Sequence, residues 1–104
     1  MAEYPAKRDP NRCPTHPGEL LDDIIPSTGK TKTEIASLLG ISRQHLYEIL
    51  GQRKGVSPEI AARVGKLFGG GTHSWLSMQA AYDAWHAERK LAQELKKIPS
   101  LTAA

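Results

Sequence analysis

Arg43, Gln44, His45, Tyr47 and Glu48 fall within six consecutive residues, a set of candidate base readers that includes side-chain types able to hydrogen-bond base edges in DNA. Arginine makes two hydrogen bonds to guanine, glutamine makes two to adenine, and a carboxylate accepts one from cytosine N4. Leu46, Ile49 and Leu50 interleave with them at the i, i+3, i+4 spacing of a buried helix face. With that stripe turned inward, Gln44, His45, Tyr47 and Glu48 point outward and Arg43 occupies the exposed first turn. A solvated polar helix face would have the same composition. Glu48 has two readings: it accepts from cytosine, or it repels phosphate and only orients Arg43 or His45.

The elements that would position these residues are short. Thr31 and Glu34 form a capping box, which satisfies orphan N–H groups at a helix start. Ile35, Leu38 and Leu39 then make one apolar face, and Gly40 stands where a helix ends in positive φ. Ser42 caps the second helix, and Ala36 is small where the two helices cross. This is the pattern of a helix-turn-helix, whose second helix enters the major groove of DNA. Between Lys30 and Lys54, five basic residues (Lys30, Lys32, Arg43, Arg53, Lys54) face two acidic ones (Glu34, Glu48), a local charge of +3. Such a confined basic patch suits phosphate contact, the main source of DNA affinity. Arg53 and Lys54, in the loop after the reading helix, are placed to grip the backbone; a solvated charged loop is the other reading.

The 104 residues, 39% hydrophobic and 24% charged, suffice for one domain. No apolar run approaches a membrane span, and MAEYPAKRDPNR holds no signal-peptide core. The expectation is a cytoplasmic protein without membrane contact. Cys13 is the single cysteine, which rules out an internal disulfide and fits a reducing compartment.

Residues 1–14, with Pro5, Pro10 and Pro14, read as a flexible arm, either a tail or a segment that orders on a partner. Residues 15–98 form the domain and 99–104 a tail. Pro17 opens a first helix carrying Leu20, Leu21, Ile24 and Ile25, ended by Pro26–Gly29. Ser57-Pro58-Glu59 is a helix start, followed by a core stripe of Ile60, Ala61, Val64, Leu67 and Phe68. After the break at Gly69–Gly71, Thr72 or Ser74 caps a helix that aligns Trp75, Leu76, Gln79 and Tyr82 or Asp83. Aromatic residues beside polar ones suggest an interface, with core packing as the competing role for Trp75. Leu91, Leu95 and Ile98 continue at helical spacing, so Trp85–Ile98 reads as a helix that folds back or meets a partner.

Catalysis finds no support. Cys13 and His16 have C-x₂-H spacing, but no second pair follows at zinc-site distance. His45, His73 and His86 are scattered. The glycine run lacks the lysine of a phosphate loop, and Cys13 has no adjacent activating base. No cofactor or metal is expected.

Four segments together resemble the HigA-type antitoxins, a branch of the Cro-like repressor family. They are HPGELL at His16–Leu21, TKTEIASLLGISRQHLYEIL at Thr31–Leu50, KGVSPEIAARVGKLFG at Lys54–Gly69 and SWLSMQAAYD at Ser74–Asp83. The resemblance implies an all-α, lambda-repressor-like helix-turn-helix domain of five or six helices. It also implies an autoregulating homodimer on operator DNA, built through the helix of Trp75, Leu76, Gln79 and Tyr82, that neutralises a small HigB/RelE-like mRNA-cleaving toxin. Transferred by position, it places Arg43, Gln44 and Glu48 at base-reading sites, and Ser42, Thr31, Lys32, Arg53 and Lys54 near phosphate. A stand-alone transcription regulator of the same family, without a toxin, is the alternative. The N-terminal arm and the acidic first helix, with Glu19, Asp22 and Asp23, are the first choice for the surface that would meet a basic toxin.

Overall fold

The computed structural model describes residues 11–102. It contains six α-helices and a 3₁₀ turn, with no strand among the described residues: α1 (Pro17–Ile24), the 3₁₀ turn Ile25–Thr28, α2 (Lys32–Leu39), α3 (Arg43–Leu50), α4 (Pro58–Phe68), α5 (Gly71–Lys90) and α6 (Ala92–Lys96). The architecture is the all-α helix-turn-helix domain expected from the sequence.

Local chemistry sets most of the boundaries. The Thr31 hydroxyl accepts from Glu34 N–H at 3.1 Å, and the Glu34 carboxylate accepts from Thr31 N–H at 2.8 Å. Gly40 closes α2 with φ 73°, donating its N–H to Ser37 and Ala36 while Ile41 N–H donates back to the Ala36 carbonyl. That pairing is a Schellman motif. Ser42 and Ser57 cap α3 and α4 by accepting from His45 N–H at 3.0 Å and Ile60 N–H at 3.2 Å. His16 caps α1 through its ring: Nδ1 accepts from Gly18 N–H at 2.8 Å. Nothing in the sequence reading anticipated this histidine cap, because the preferred capping types are Ser, Thr, Asp and Asn.

An eight-residue helix such as α3 is not stable in isolation. Its inward face holds it: Leu46, Ile49 and Leu50 are buried in a core shared with Leu21, Ile25, Ile35, Ala36, Leu39, Val56, Ile60, Ala61, Val64 and Trp75. Burying each large aliphatic side chain contributes about 1.5–3 kcal/mol, enough together to outweigh the cost of nucleating the helix. α1 packs directly on α3 at Gly18, where an added Cβ would overlap the Ile49 carbonyl. Gly18→Ala therefore forces α1 away from the reading helix, an overpacking cost of about 1–3 kcal/mol.

Several expectations require correction. Leu38 is 56% exposed, so the inward face of α2 is Ile35, Ala36 and Leu39; Leu38 lies too far around the helix to reach the core. Leu67 is also exposed. α5 starts at Gly71, and its cap position is Gly70 at φ 90°, with no side-chain cap from Thr72 or Ser74. The helix then runs unbroken past Ala84 to Lys90, so no separate helix begins near Trp85. The short α6 does not fold back on the core: Leu91, Leu95 and Ile98 are all exposed.

Of the expected arm, residues 1–10 lie outside the described residues. Asn11–Pro14 run without helix, and the Cys13 Sγ lies 3.4 Å from His86 Nε2. Cys13 thus faces α5, not the neighbouring His16.

Candidate nucleic-acid interface

Arg43, Gln44, Tyr47, Glu48 and Arg53 line one open groove of about 750 Å³ on the outer side of α3. The structure brings together four of the five residues expected to read bases and adds one expected at phosphate. Arg43, Gln44 and Tyr47 are exposed; His45 is half-buried at the edge of the face.

Charge on this face is internally organised. The Glu48 Oε1 pairs with Lys54 Nζ at 3.2 Å. The Lys54 hydrogen bond, with help from Gln44 and the charge of Arg53, holds the Glu48 carboxyl below the usual range, so it is ionised at neutral pH. Glu48 also anchors the loop through its backbone, its carbonyl accepting from Arg53 N–H at 2.8 Å and Lys54 N–H at 3.1 Å. This return is made possible by Gln52, whose φ of 62° is left-handed, a conformation that costs a non-glycine residue roughly 1–2 kcal/mol. Gly51, the residue before it, has φ −85°, so the left-handed turn is carried by a non-glycine residue.

The remaining expected phosphate residues sit around the groove. Lys32 Nζ lies 5.6 Å from the centre of the Tyr47 ring and 3.7 Å from Asp22 Oδ1, so it joins α1, α2 and the reading face. Thr31 and Ser42 spend their oxygens as cap acceptors; their hydroxyl protons are what they have left to donate. The Thr31 hydrogen bonds hold Glu34 below the ordinary carboxylate range, leaving a negative charge at the start of α2.

Trp75 and Gln79, expected at an interface, are inside the chain, 5% and 6% exposed. Trp75 Nε1 donates to the Gly69 carbonyl at 2.8 Å, so the indole closes the α4–α5 corner. Leu76 and Tyr82 are half-buried. The Tyr82 ring stands edge-on to His16 at 4.7 Å between centroids and tilts against His86 at 4.4 Å. Arg63 escaped the sequence reading altogether. Its Nη1 donates to the Leu39 carbonyl at 2.8 Å, its Nη2 to Glu59 at 3.0 Å, and it thereby ties α4 to the end of α2. An arginine in the second turn of a helix carries no signal of such a long-range bond.

Among the described residues, no group of three His, Cys, Asp or Glu side chains could hold a metal ion, and no helix is long and apolar enough to cross a membrane.

A small helical domain that presents an Arg-Gln turn on a capped helix, behind a glycine corner, is a helix-turn-helix protein of the repressor class. Comparison with known proteins narrows this. No family model matches the chain. It is 36% identical over 75 residues to virulence-associated protein I of Dichelobacter nodosus, covering 71% of this chain and 69% of that protein. An addiction module antidote protein of the HigA family from Coxiella burnetii superposes with a TM-score of 0.78 at 27% identity, covering 88% of this chain and all of that one. The antitoxin GraA, solved in complex with its operator, superposes at 0.79 with 28% identity, covering 94% of this chain and 99% of that one. The chain belongs to the HigA-type family of helix-turn-helix antitoxins.

Proposed function

We propose that this protein is the antitoxin of a toxin–antitoxin pair, that it binds the operator of its own transcription unit as a homodimer, and that it neutralises a small RelE-like ribonuclease. The observation that carries the DNA part is the groove of Arg43, Gln44, Tyr47, Glu48 and Arg53. Its base-reading side chains stand on a helix fixed at one end by Ser42 and along its length by Leu46, Ile49 and Leu50. Arg43 and Gln44 read base edges; Arg53 and Lys54 contact phosphate and set register. The operator complex of GraA, a structural neighbour over nearly the whole chain, supports the same docking.

Pairing of two copies is supported by the far end of the molecule. Tyr82 is half-buried, and Leu91, Leu95 and Ile98 are exposed beyond it, an apolar strip that a second copy would cover. This moves the proposed dimer contact toward the C-terminal end of α5, away from Trp75 and Gln79. A two-fold dimer requires a near-palindromic operator with half-sites about one helical turn, ~34 Å, apart. Toxin binding rests on family membership, and the acidic face of α1 is the surface proposed for it. No catalytic step is assigned to the chain.

Arg43→Ala and Gln44→Ala test the base readers. Each is expected to cost about 1–3 kcal/mol of operator affinity and to relax the sequence preference at one base pair, measured by titration against single-substitution operators. Variants that bind every sequence as the parent does would remove both residues from the readout.

A further inference from the structure

The loop that carries Arg53 and Lys54 is fixed at both ends, by different parts of the chain. Its near end is tied to α3 through the Glu48 carbonyl. Its far end is held from across the core: Val56 N–H donates to Gln79 Oε1 at 2.9 Å, a buried bond spanning 23 residues. Gln79 in turn donates from Nε2 to Asp83 Oδ1 at 3.0 Å, which fixes which end of the carboxamide meets the loop. Gly55 completes the fit, because a Cβ there would stand 2.7 Å from the Gln79 side chain.

A buried carboxamide is costly unless its donor and acceptor are both used, and here they are. An apolar side chain of similar volume would fill the same space but leave Val56 N–H without a partner, a penalty on the loop and not on α5. The chemistry at position 79 therefore serves the loop. Resting on the reading of Arg53 and Lys54 as phosphate contacts, we infer that Gln79 is a positioning residue for DNA binding: from the centre of α5 it sets where the phosphate-gripping loop stands relative to the reading helix. It touches no DNA itself.

The tie is tested by two variants that break it from opposite sides and one that rebuilds it. Gln79→Met removes the acceptor, and Gly55→Ala displaces the carboxamide. Gln79→Glu with Asp83→Asn keeps the net charge, the acceptor for Val56 and a hydrogen bond between positions 79 and 83. Binding is measured on a palindromic operator duplex and on unrelated duplex DNA across a salt series. Amide exchange at Val56 is followed in the DNA-free protein. Each breaking variant is expected to lose Val56 protection and to flatten the salt slope by about one to two units, one for each phosphate that the loop no longer grips. The ratio of operator to unrelated affinity should hold. The paired variant should restore both protection and slope. Mere destabilisation lowers the active fraction but leaves the slope unchanged. An unchanged slope in Gly55→Ala or Gln79→Met, or a folded paired variant with the flattened slope, would overturn the inference. A parent protein that binds neither duplex would instead refute the DNA-binding reading on which it rests.

Discussion

Glu48 on α3 and Lys54 in the following loop form an ion pair of 3.2 Å, so a carboxylate in the centre of the proposed DNA face holds one of the cations proposed to contact phosphate. Before Lys54 can meet phosphate it must leave Glu48 or share it. The pair restrains nonspecific affinity, which comes almost entirely from such cations.

Glu48→Gln is accordingly expected to strengthen binding to all duplex sequences, because Lys54 no longer gives up an ion pair to meet phosphate, while the salt slope changes by less than about one unit since the same phosphates are gripped in both proteins. Titrations at two or more salt concentrations measure this. If Glu48 accepted from cytosine N4 instead, the same variant would weaken binding at a single base pair and leave unrelated DNA untouched.

His16 gives the fold a dependence on acid. It is 2% exposed, and its Nδ1 must be unprotonated to accept from Gly18 N–H. Burial lowers its pKa from the ordinary 6.5, against the opposing charges of Asp83 and Glu19. The unfolded chain thus binds a proton at position 16 more readily than the folded one. By linkage, this contribution to stability is complete above about pH 6.5 and is lost as pH falls through the depressed folded value. The melting temperature should drop from pH 7.5 to pH 5.5, and His16→Asn, which keeps a capping acceptor without the titration, should show a smaller drop. An equal drop in both proteins would assign the acid sensitivity elsewhere.

The exposed strip on the last helices predicts the assembly. Leu95→Asp, placed between the exposed Leu91 and Ile98, should convert a dimer into a monomer by sedimentation while leaving the helical spectrum unchanged. Operator affinity should fall with it, since two half-sites are then bound independently. A variant that remains dimeric would place the contact elsewhere on the chain.

What the sequence disclosed, and what it hid, divides by the range of the interactions. Thr31 with Glu34, Gly40, Ser42 and Ser57-Pro58 were legible because each acts on backbone within a few residues, where side-chain type decides the outcome. The outward set of α3 followed from the three apolar residues that oppose it. Gln79 was misplaced, and Trp75 was left between interface and core, because a polar or aromatic residue on a helix gives the same pattern at an interface as in a core. Only the packing of α5 on α4 and on the loop at Val56 distinguishes them. The cap of α5 was misjudged for a related reason: Gly70 and Gly71 at positive φ take over the corner that Thr72 or Ser74 would otherwise begin. Leu38 shows the limit of periodicity, since the buried face of this eight-residue helix is narrow and not every residue at apolar spacing reaches the core.

The most direct test of the central claim is a mobility shift on the DNA immediately upstream of this protein's own coding sequence, at two salt concentrations, with a footprint of the complex. The account predicts a competitor-resistant, salt-sensitive shift of the purified protein, protecting two symmetric half-sites about one helical turn apart. No shift, whether the protein is alone or mixed with the product of the neighbouring gene, would contradict it.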